Sequence, residues 1–436
     1  MLFRTYHKRD RGLSAHGFFS KFQDACLALL EDPTGAGRAF VVGREGTNIL
    51  LPAGADPLQG AAYLARWRMS DTRAPSPCIR EVFYSAYEAA ILLERLPRPK
   101  SIPGGVLLWR HQPTFSLCFE RDILHVYARD TATLAQVERM LALAEQASPP
   151  SFAWPQVNHT PDVMADDPEY RHAVSRVRAY IAAGDIFQAN IARFWHMPWN
   201  ARDLPALYAR LRQVNPAPFS AYLEIPQTPQ GPLCILSASP ERLVRIHPDG
   251  KVDTRPIAGT RRRAGGARDA ALRDELLLSE KERAEHIMLV DLERNDLGRV
   301  CRAGSVRVDE CMIIERYATV QHIVSNVSGK LCAGLDWVDV YRAMFPGGTI
   351  TGCPKIRCME IIHELEPQGR GPYTGGIGYW AWDGGADMNI LIRTFWHDQG
   401  ALHWAAGAGI VADSDPEREL RETGHKAMGL MRALRP

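Results

Sequence analysis

Neither sign of charge dominates this chain of 436 residues: 52 Lys and Arg stand against 50 Asp and Glu, a formal net charge of +2. That balance gives no case for a nucleic acid or an anionic membrane as partner. No apolar run approaches 18 residues, and no apolar stretch follows Met1-Leu2-Phe3-Arg4, so the sequence predicts neither a membrane span nor a signal peptide. No Gly-x-Gly-x-x-Gly is present, and the short β-like runs lack the cadence of a nucleotide-binding fold. There is no strong internal repeat. The nine cysteines are scattered and odd in number. Cys353 and Cys358 lie near each other, but no paired Cys/His cluster completes a zinc site. Buried free thiols in a reducing cytoplasm are the expectation. The length allows one large domain or two to three ordinary ones.

What is present divides into two stretches. Residues 1–150 read as mixed strands and helices: a helix from Phe18 to Leu30, paired strands from Arg38 to Leu51 around Gly43–Gly46, and strands from Val106 to Tyr127. Residues 131–147 have helical spacing, with Leu134, Val137, Leu141 and Leu143 or Ala144 on one side. Pro149, Pro150, Pro155, Pro161 and Pro168 then mark a boundary. The second stretch, 165–436, opens on a helix that Asp167 caps, Pro168 starts and Gly184 ends. Short β-like runs follow at Ala189–Phe194, Ser220–Ile225, Leu233–Ser237 and Leu243–Ile246. Helices are expected near 269–297, 336–345, 355–365 and 415–431. This pattern predicts a mixed, largely antiparallel α+β fold.

Chemistry concentrates between Gly184 and Glu422. Ser279-Glu280-Lys281-Glu282 is a capping box, and Glu285 lies one turn beyond Glu282 on the same side. Asp415-Pro416 starts a second helix with Glu419 and Glu422 on one face. Two carboxylates from separate helices, a substrate carboxylate and several waters would suit octahedral Mg²⁺, whereas solvated helix glutamates, Glu422 paired with Lys426, are the ordinary alternative. Arg393 can fork two hydrogen bonds to a carboxylate, or form a surface salt bridge. Gly407-Ala408-Gly409 can either bring consecutive backbone N–H groups onto an anion or simply turn. Thr349 to Gly352, with Lys355, reads as a loop entering a helix and suited to polar contact with a ligand. Arg261-Arg262-Arg263 is a basic run, usually solvated, that could draw in a dianion.

These motifs, with Pro256-Ile257-Ala258-Gly259-Thr260 and Phe345-Pro346-Gly347-Gly348, resemble the chorismate-binding enzymes in order and spacing. That family includes anthranilate, aminodeoxychorismate, isochorismate and salicylate synthases. The resemblance covers about residues 165–430 and sharpens the fold to a four-layer helix–sheet–sheet–helix sandwich with its site in a cleft between the sheets. It implies Mg²⁺ held by Glu285 and Glu422, with Glu282 and Glu419 behind them. Arg393, Tyr379 and the glycine segment would receive the substrate carboxylate that does not touch metal. Glu241 matches the acid that assists loss of the C4 hydroxyl, and His322 a histidine beside the ring. Gln188 stands where relatives that add water carry a lysine base. Glutamine cannot deprotonate water, so ammonia is the expected nucleophile, delivered by a separate glutamine amidotransferase subunit.

Ala258 replaces the lysine with which many aminodeoxychorismate synthases attack C2, and it matches anthranilate synthases instead. Asn215 to Tyr222 and Gly347-Gly348 resemble the former. Leu29-Leu30-Glu31-Asp32 ends in Asp where tryptophan-regulated anthranilate synthases typically have Ser. The combination implies an alanine-bearing aminodeoxychorismate synthase component I, making 4-amino-4-deoxychorismate for p-aminobenzoate and folate without a covalent adduct, in the cytoplasm. Anthranilate synthase component I is the alternative, and an inactive ligand- or partner-binding relative a third reading.

Overall fold

The computed structural model describes the chain except residues 8–12, 34–36, 69–71, 146–153, 156, 158, 263–273, 276, 277, 279, 317–319 and 436. The first stretch runs β1 (Leu2–His7), α1 (Ala15–Lys21), β2 (Cys26–Glu31), β3 (Ala39–Gly43), β4 (Gly46–Pro52), α2 (Pro57–Arg66), β5 (Ile79–Ser85), β6 (Val106–Pro113), β7 (Phe115–Glu120), β8 (Ile123–Ala128) and α3 (Thr131–Glu145). Then come α4 (Pro168–Ala182), β9 (Gln188–Pro198), α5 (Leu204–Val214), β10 (Phe219–Ile225), β11 (Leu233–Ser239), β12 (Arg242–Ile246), β13 (Lys251–Thr254) and β14 (Ile257–Arg262). The chain continues through α6 (Glu280–Gly298), β15 (Arg307–Arg316), β16 (Val320–Lys330), α7 (Trp337–Met344), β17 (Gly352–Cys353) and α8 (Lys355–Leu365). It ends with β18 (Gly376–Ala381), β19 (Ala386–Asn389), β20 (Thr394–Asp398), β21 (Ala401–Ile410) and α9 (Pro416–Met431).

The local chemistry explains the helix ends. Asp167 accepts from the Tyr170 amide at 2.9 Å, Pro168 fills the first turn, and Gly184 takes φ +83° just past the end. Asp415 caps α9 in the same way through Arg418, again followed by proline. In α3 the buried side is Leu134, Val137, Met140 and Leu141; of the expected stripe Ala144 is partly buried and Leu143 is exposed.

Two large sheets form, and every described strand pairing is antiparallel. The order in one is β1-β8-β7-β3-β2-β10-β11-β20-β21-β9-β17; in the other it is β14-β16-β13-β12-β19-β18-β5-β6-β4, with β15 also paired to β16. Both stretches of sequence build both sheets. β2 pairs with β10 in the first, and β5 pairs with β18 in the second. One apolar core, including Phe18, Val137, Leu207, Phe395, Trp404 and Leu430, lies under α1, α3, α5 and the end of α9. On the second sheet, Phe83 packs outward against Trp67 (5.0 Å between ring centres) and Trp337 (4.9 Å). The next strand's Tyr379 points to the opposite face, where it meets Phe40 from the first sheet at 4.7 Å. Helices therefore cover the outer faces and the sheets meet between them, the expected sandwich.

Two local expectations are corrected. The helix over Phe18–Leu30 stops at Lys21, and Cys26 to Glu31 is a strand buried along its whole length. A continuous apolar run reads equally as helix or interior strand, and here the sheet decides. Arg38 to Leu51 gives two strands, but β3 pairs with β2 and β7 while β4 pairs with β6 in the other sheet. The chain crosses between layers at Arg44 and Glu45 and makes no hairpin.

Candidate active site

The acidic centre sits where β11 turns into β12. Glu241 is buried, its amide bonded to Ser239 Oγ (3.2 Å) and its carbonyl to the Ile390 amide (3.0 Å). Its Oε1 accepts a 2.6 Å hydrogen bond from Thr349 Oγ1, on the tight turn after Gly347 and Gly348. Burial pushes this carboxyl up to about 7, against the opposing pulls of Thr349 and the Lys426 ammonium. It can therefore hold a proton near neutrality. Lys426, on α9, also donates to the Gly407 carbonyl at 2.8 Å and pairs with Glu422 at 2.8 Å.

Gly407, Ala408 and Gly409 do not form an anion nest. They lie toward the C-terminal end of β21, paired with Ala192, Ile191 and Asn190 of β9, and neither glycine has positive φ. Consecutive strand N–H groups point to opposite sides, so they cannot converge on one ion. What the glycines supply is a bare sheet face. A Cβ at Gly407 would stand 2.4 Å from Asn190 Oδ1 and 2.7 Å from the Tyr373 hydroxyl; one at Gly409 would stand 2.5 Å from Gln188 Nε2.

Tyr373, not Tyr379, is the tyrosine at this face. Tyr379 is spent between the sheets against Phe40, whereas Tyr373 reaches Gly407 and feels the charge of Arg393. Arg393 takes φ +52° and is driven into the protein, where burial lowers its basicity. Among the described residues it has no ion-pair partner. A desolvated guanidinium in that state gains from pairing with a carboxylate, because pairing offsets its desolvation. His322, on β16, is held low, at about 4, by burial and then by Arg393. It is a neutral imidazole at physiological pH. Ala258 lies on neighbouring β14 opposite Ile323, beside the Gly259 bulge, and offers no nucleophile.

Lys355 falls elsewhere than expected, and the basic run and the capping box lie partly outside the described residues. Lys355 is tied to Asp296 of α6 at 2.6 Å and to the Met344 carbonyl, so it fastens α8 to α6 and does not point at a ligand. Arg261 and Arg262 have described backbone only, and Arg263 and Ser279 lie outside the described residues.

For the metal expectation, Glu285 is half-buried on the side of α6 that also carries Leu289, Glu293 and Asp296, two of them (Leu289 and Glu293) fully buried. Glu419 is buried; with burial the larger cause, it and Glu422 hold the Tyr170 hydroxyl well above its usual range. The Glu282 side chain lies outside the described residues. Among those described, no three His, Cys, Asp or Glu side chains converge as a metal cage. The available donors are hard carboxylate oxygens, which suits Mg²⁺ completed by substrate and water. Glu422 also makes the i,i+4 pair with Lys426 that an ordinary surface glutamate would make.

Sequence reasoning missed Asn190, Tyr373 and the support behind them. Glu366 and Arg370 form a fully buried pair at 2.6 Å. Arg370 also donates to the carbonyls of Ile350 (2.9 Å) and Asn190 (2.7 Å), and Glu366 accepts from the Ala192 amide (2.9 Å). This pair fixes β9 against the turn carrying Thr349. The i,i+4 spacing of Glu366 and Arg370 was the available signal.

The family model for chorismate binding enzymes matches residues 30–432. An anthranilate synthase component I-like protein of Synechocystis is 45% identical over 80% of this chain and 71% of its own length. Aminodeoxychorismate synthase component 1 of Bacillus subtilis is 51% identical over 61% of this chain and 55% of its own. Anthranilate synthase component 1 of Thermus thermophilus is 44% identical over 81% and 77%. The structure of anthranilate synthase component I from Streptococcus pneumoniae superposes with a TM-score of 0.75 at 26% identity, over 98% of this chain and 92% of that one. The isochorismate synthase MenF of Escherichia coli, at 18% identity, shares the fold with a TM-score of 0.73. With that match over most of its length and these relatives, this chain belongs to the chorismate-binding enzyme family.

Proposed function

We propose that the protein is an aminodeoxychorismate synthase component I, taking chorismate and ammonia to 4-amino-4-deoxychorismate and water. The observation that supports an amination is Gln188: a buried side-chain amide, which cannot itself take a proton from water. Ammonia needs no base before it attacks. Its source would be a separate glutamine amidotransferase subunit, in keeping with the component names of the relatives.

Arg393 and Tyr373 would hold one substrate carboxylate. Mg²⁺ held by Glu285 and Glu422 would neutralise the other. Glu241 would give its proton to the C4 hydroxyl, which leaves as water while a C–N bond forms at C2. The new ammonium then loses a proton, restoring Glu241. Because Ala258 cannot form an adduct, a second ammonia would attack C4 as the C2 amine leaves, its proton again supplied from Glu241. His322, neutral beside the ring, would donate or accept a hydrogen bond without adding charge. The sequence from Asn215 to Tyr222 and Gly347-Gly348 support C4 as the final position, as does the Bacillus subtilis relative.

Anthranilate synthesis is the second reading, favoured by Ala258 and by the relatives of that name from Thermus and Synechocystis. The deciding experiment incubates the purified chain with chorismate, Mg²⁺ and ammonium, without any lyase. The expected product retains the enolpyruvyl group. Anthranilate with stoichiometric pyruvate would make the second reading correct.

A further inference from the structure

Two side-chain amides face the bare strand together. Gln188 and Asn190 are two apart on β9, so they project from the same face of the sheet. Both are more than nine-tenths buried, and neither Gln188 Oε1 nor Asn190 Oδ1 has a hydrogen-bond partner among the described residues. The backbone beneath them is pinned. The Asn190 amide donates to the Thr351 carbonyl (2.9 Å), and the Asn190 carbonyl accepts from Arg370 Nη2 (2.7 Å). Gly407 and Gly409 leave the space that the two amides occupy, since a Cβ at either would collide with them. A buried carbonyl oxygen left unpaired is costly, so such a pair persists where a ligand supplies donors.

The chemistry of that ligand follows from the atoms. The two unpartnered oxygens are acceptors and take N–H or O–H donors. Ammonia has three N–H bonds and one lone pair, so two donated hydrogen bonds leave the lone pair free to attack. An amide neither protonates the nucleophile nor takes a proton from water. We propose that Asn190 is a specificity-determining residue that, with Gln188, seats the ammonia nucleophile; this rests on the amination proposed above.

The test is the split between two Michaelis constants for the purified chain with Mg²⁺, chorismate and ammonium chloride. Asn190→Ala should raise KM for ammonium about tenfold, the loss of one hydrogen bond, while KM for chorismate stays within about twofold. Gln188→Leu should act on the same constant, which keeps the test alive if the first variant fails to fold. Together the two should cost less than the product of their separate effects, because they hold one molecule. An equal rise in KM for chorismate, or no change in either constant, overturns the seat. If the wild-type chain turns over chorismate with no ammonium present, the amination reading itself falls, which is a different result.

Discussion

Thr349 Oγ1 lies 2.6 Å from Glu241 Oε1, and this one contact joins the glycine turn to the buried acid. It opposes burial: the hydroxyl stabilises the carboxylate, while desolvation favours the protonated form and wins, leaving the group at about 7. Thr349→Val should therefore raise the acid further. Glu241 acts in its protonated form, so its ionisation sets the alkaline limb of kcat/KM. That limb should move up by roughly half to one pH unit, a hydrogen bond's worth. A limb that stays in place in the variant would separate Glu241 from the proton transfer.

The same burial costs stability. Folded Glu241 binds its proton more tightly than in the unfolded chain, so this contribution is full below about 4.5 and is lost as pH rises through about 7. Glu241→Gln should remove that penalty, worth roughly 3 kcal/mol at most, while abolishing turnover. The variant's Tm relative to wild type should be higher at pH 8 than at pH 5. Equal differences at both pH values would refute the assignment.

Arg370 and Glu366 offer a test of the scaffold alone. Removing one member of a fully buried pair strands the other charge, a loss of roughly 3–5 kcal/mol. Arg370→Met should lower stability by that order in urea titration, and Glu366→Gln with Arg370→Met should recover part of it. A near-neutral single variant would refute the stabilising role of the pair.

Most helices were legible because their ends are written in single residues: Asp167-Pro168 and Gly184, Asp415-Pro416, and the stripe in α3. Cys26 to Glu31 was not, since a fully buried strand has no alternation to read. In the site, Glu241, Thr349, Gln188, Arg393 and His322 do come to one region. The errors have a common cause. Tyr373 and Tyr379 are six residues apart, the first in the turn before β18 and the second within that strand, and only the folded placement decides which reaches Gly407. A Gly-Ala-Gly segment likewise reads as a nest or turn until its partner strand is known.

That placement gives a direct comparison. Tyr373→Phe removes the hydroxyl beside Gly407 and should raise KM for chorismate about tenfold. Tyr379→Phe, which keeps the ring against Phe40, should leave both kinetic constants within about twofold. The reverse pattern would return the carboxylate contact to Tyr379.

The metal proposal is tested by ligand strength at constant size. Glu→Gln keeps the shape of each side chain but replaces an anionic oxygen donor, which Mg²⁺ prefers, with a neutral one. Glu285→Gln and Glu422→Gln should each raise the Mg²⁺ concentration needed for half-maximal turnover by at least about tenfold, the order seen when a metal's support is weakened. Glu422 requires a control because it also pairs with Lys426 at 2.8 Å. Lys426→Met breaks that pair while leaving the carboxylate in place. If Glu422 serves only the ion pair, Lys426→Met and Glu422→Gln should change Mg²⁺ dependence alike. If it binds metal, Lys426→Met should leave the half-maximal Mg²⁺ concentration level or lower, because it frees a carboxylate oxygen. Near-normal turnover of both glutamine variants at limiting Mg²⁺ would remove the metal from Glu285 and Glu422.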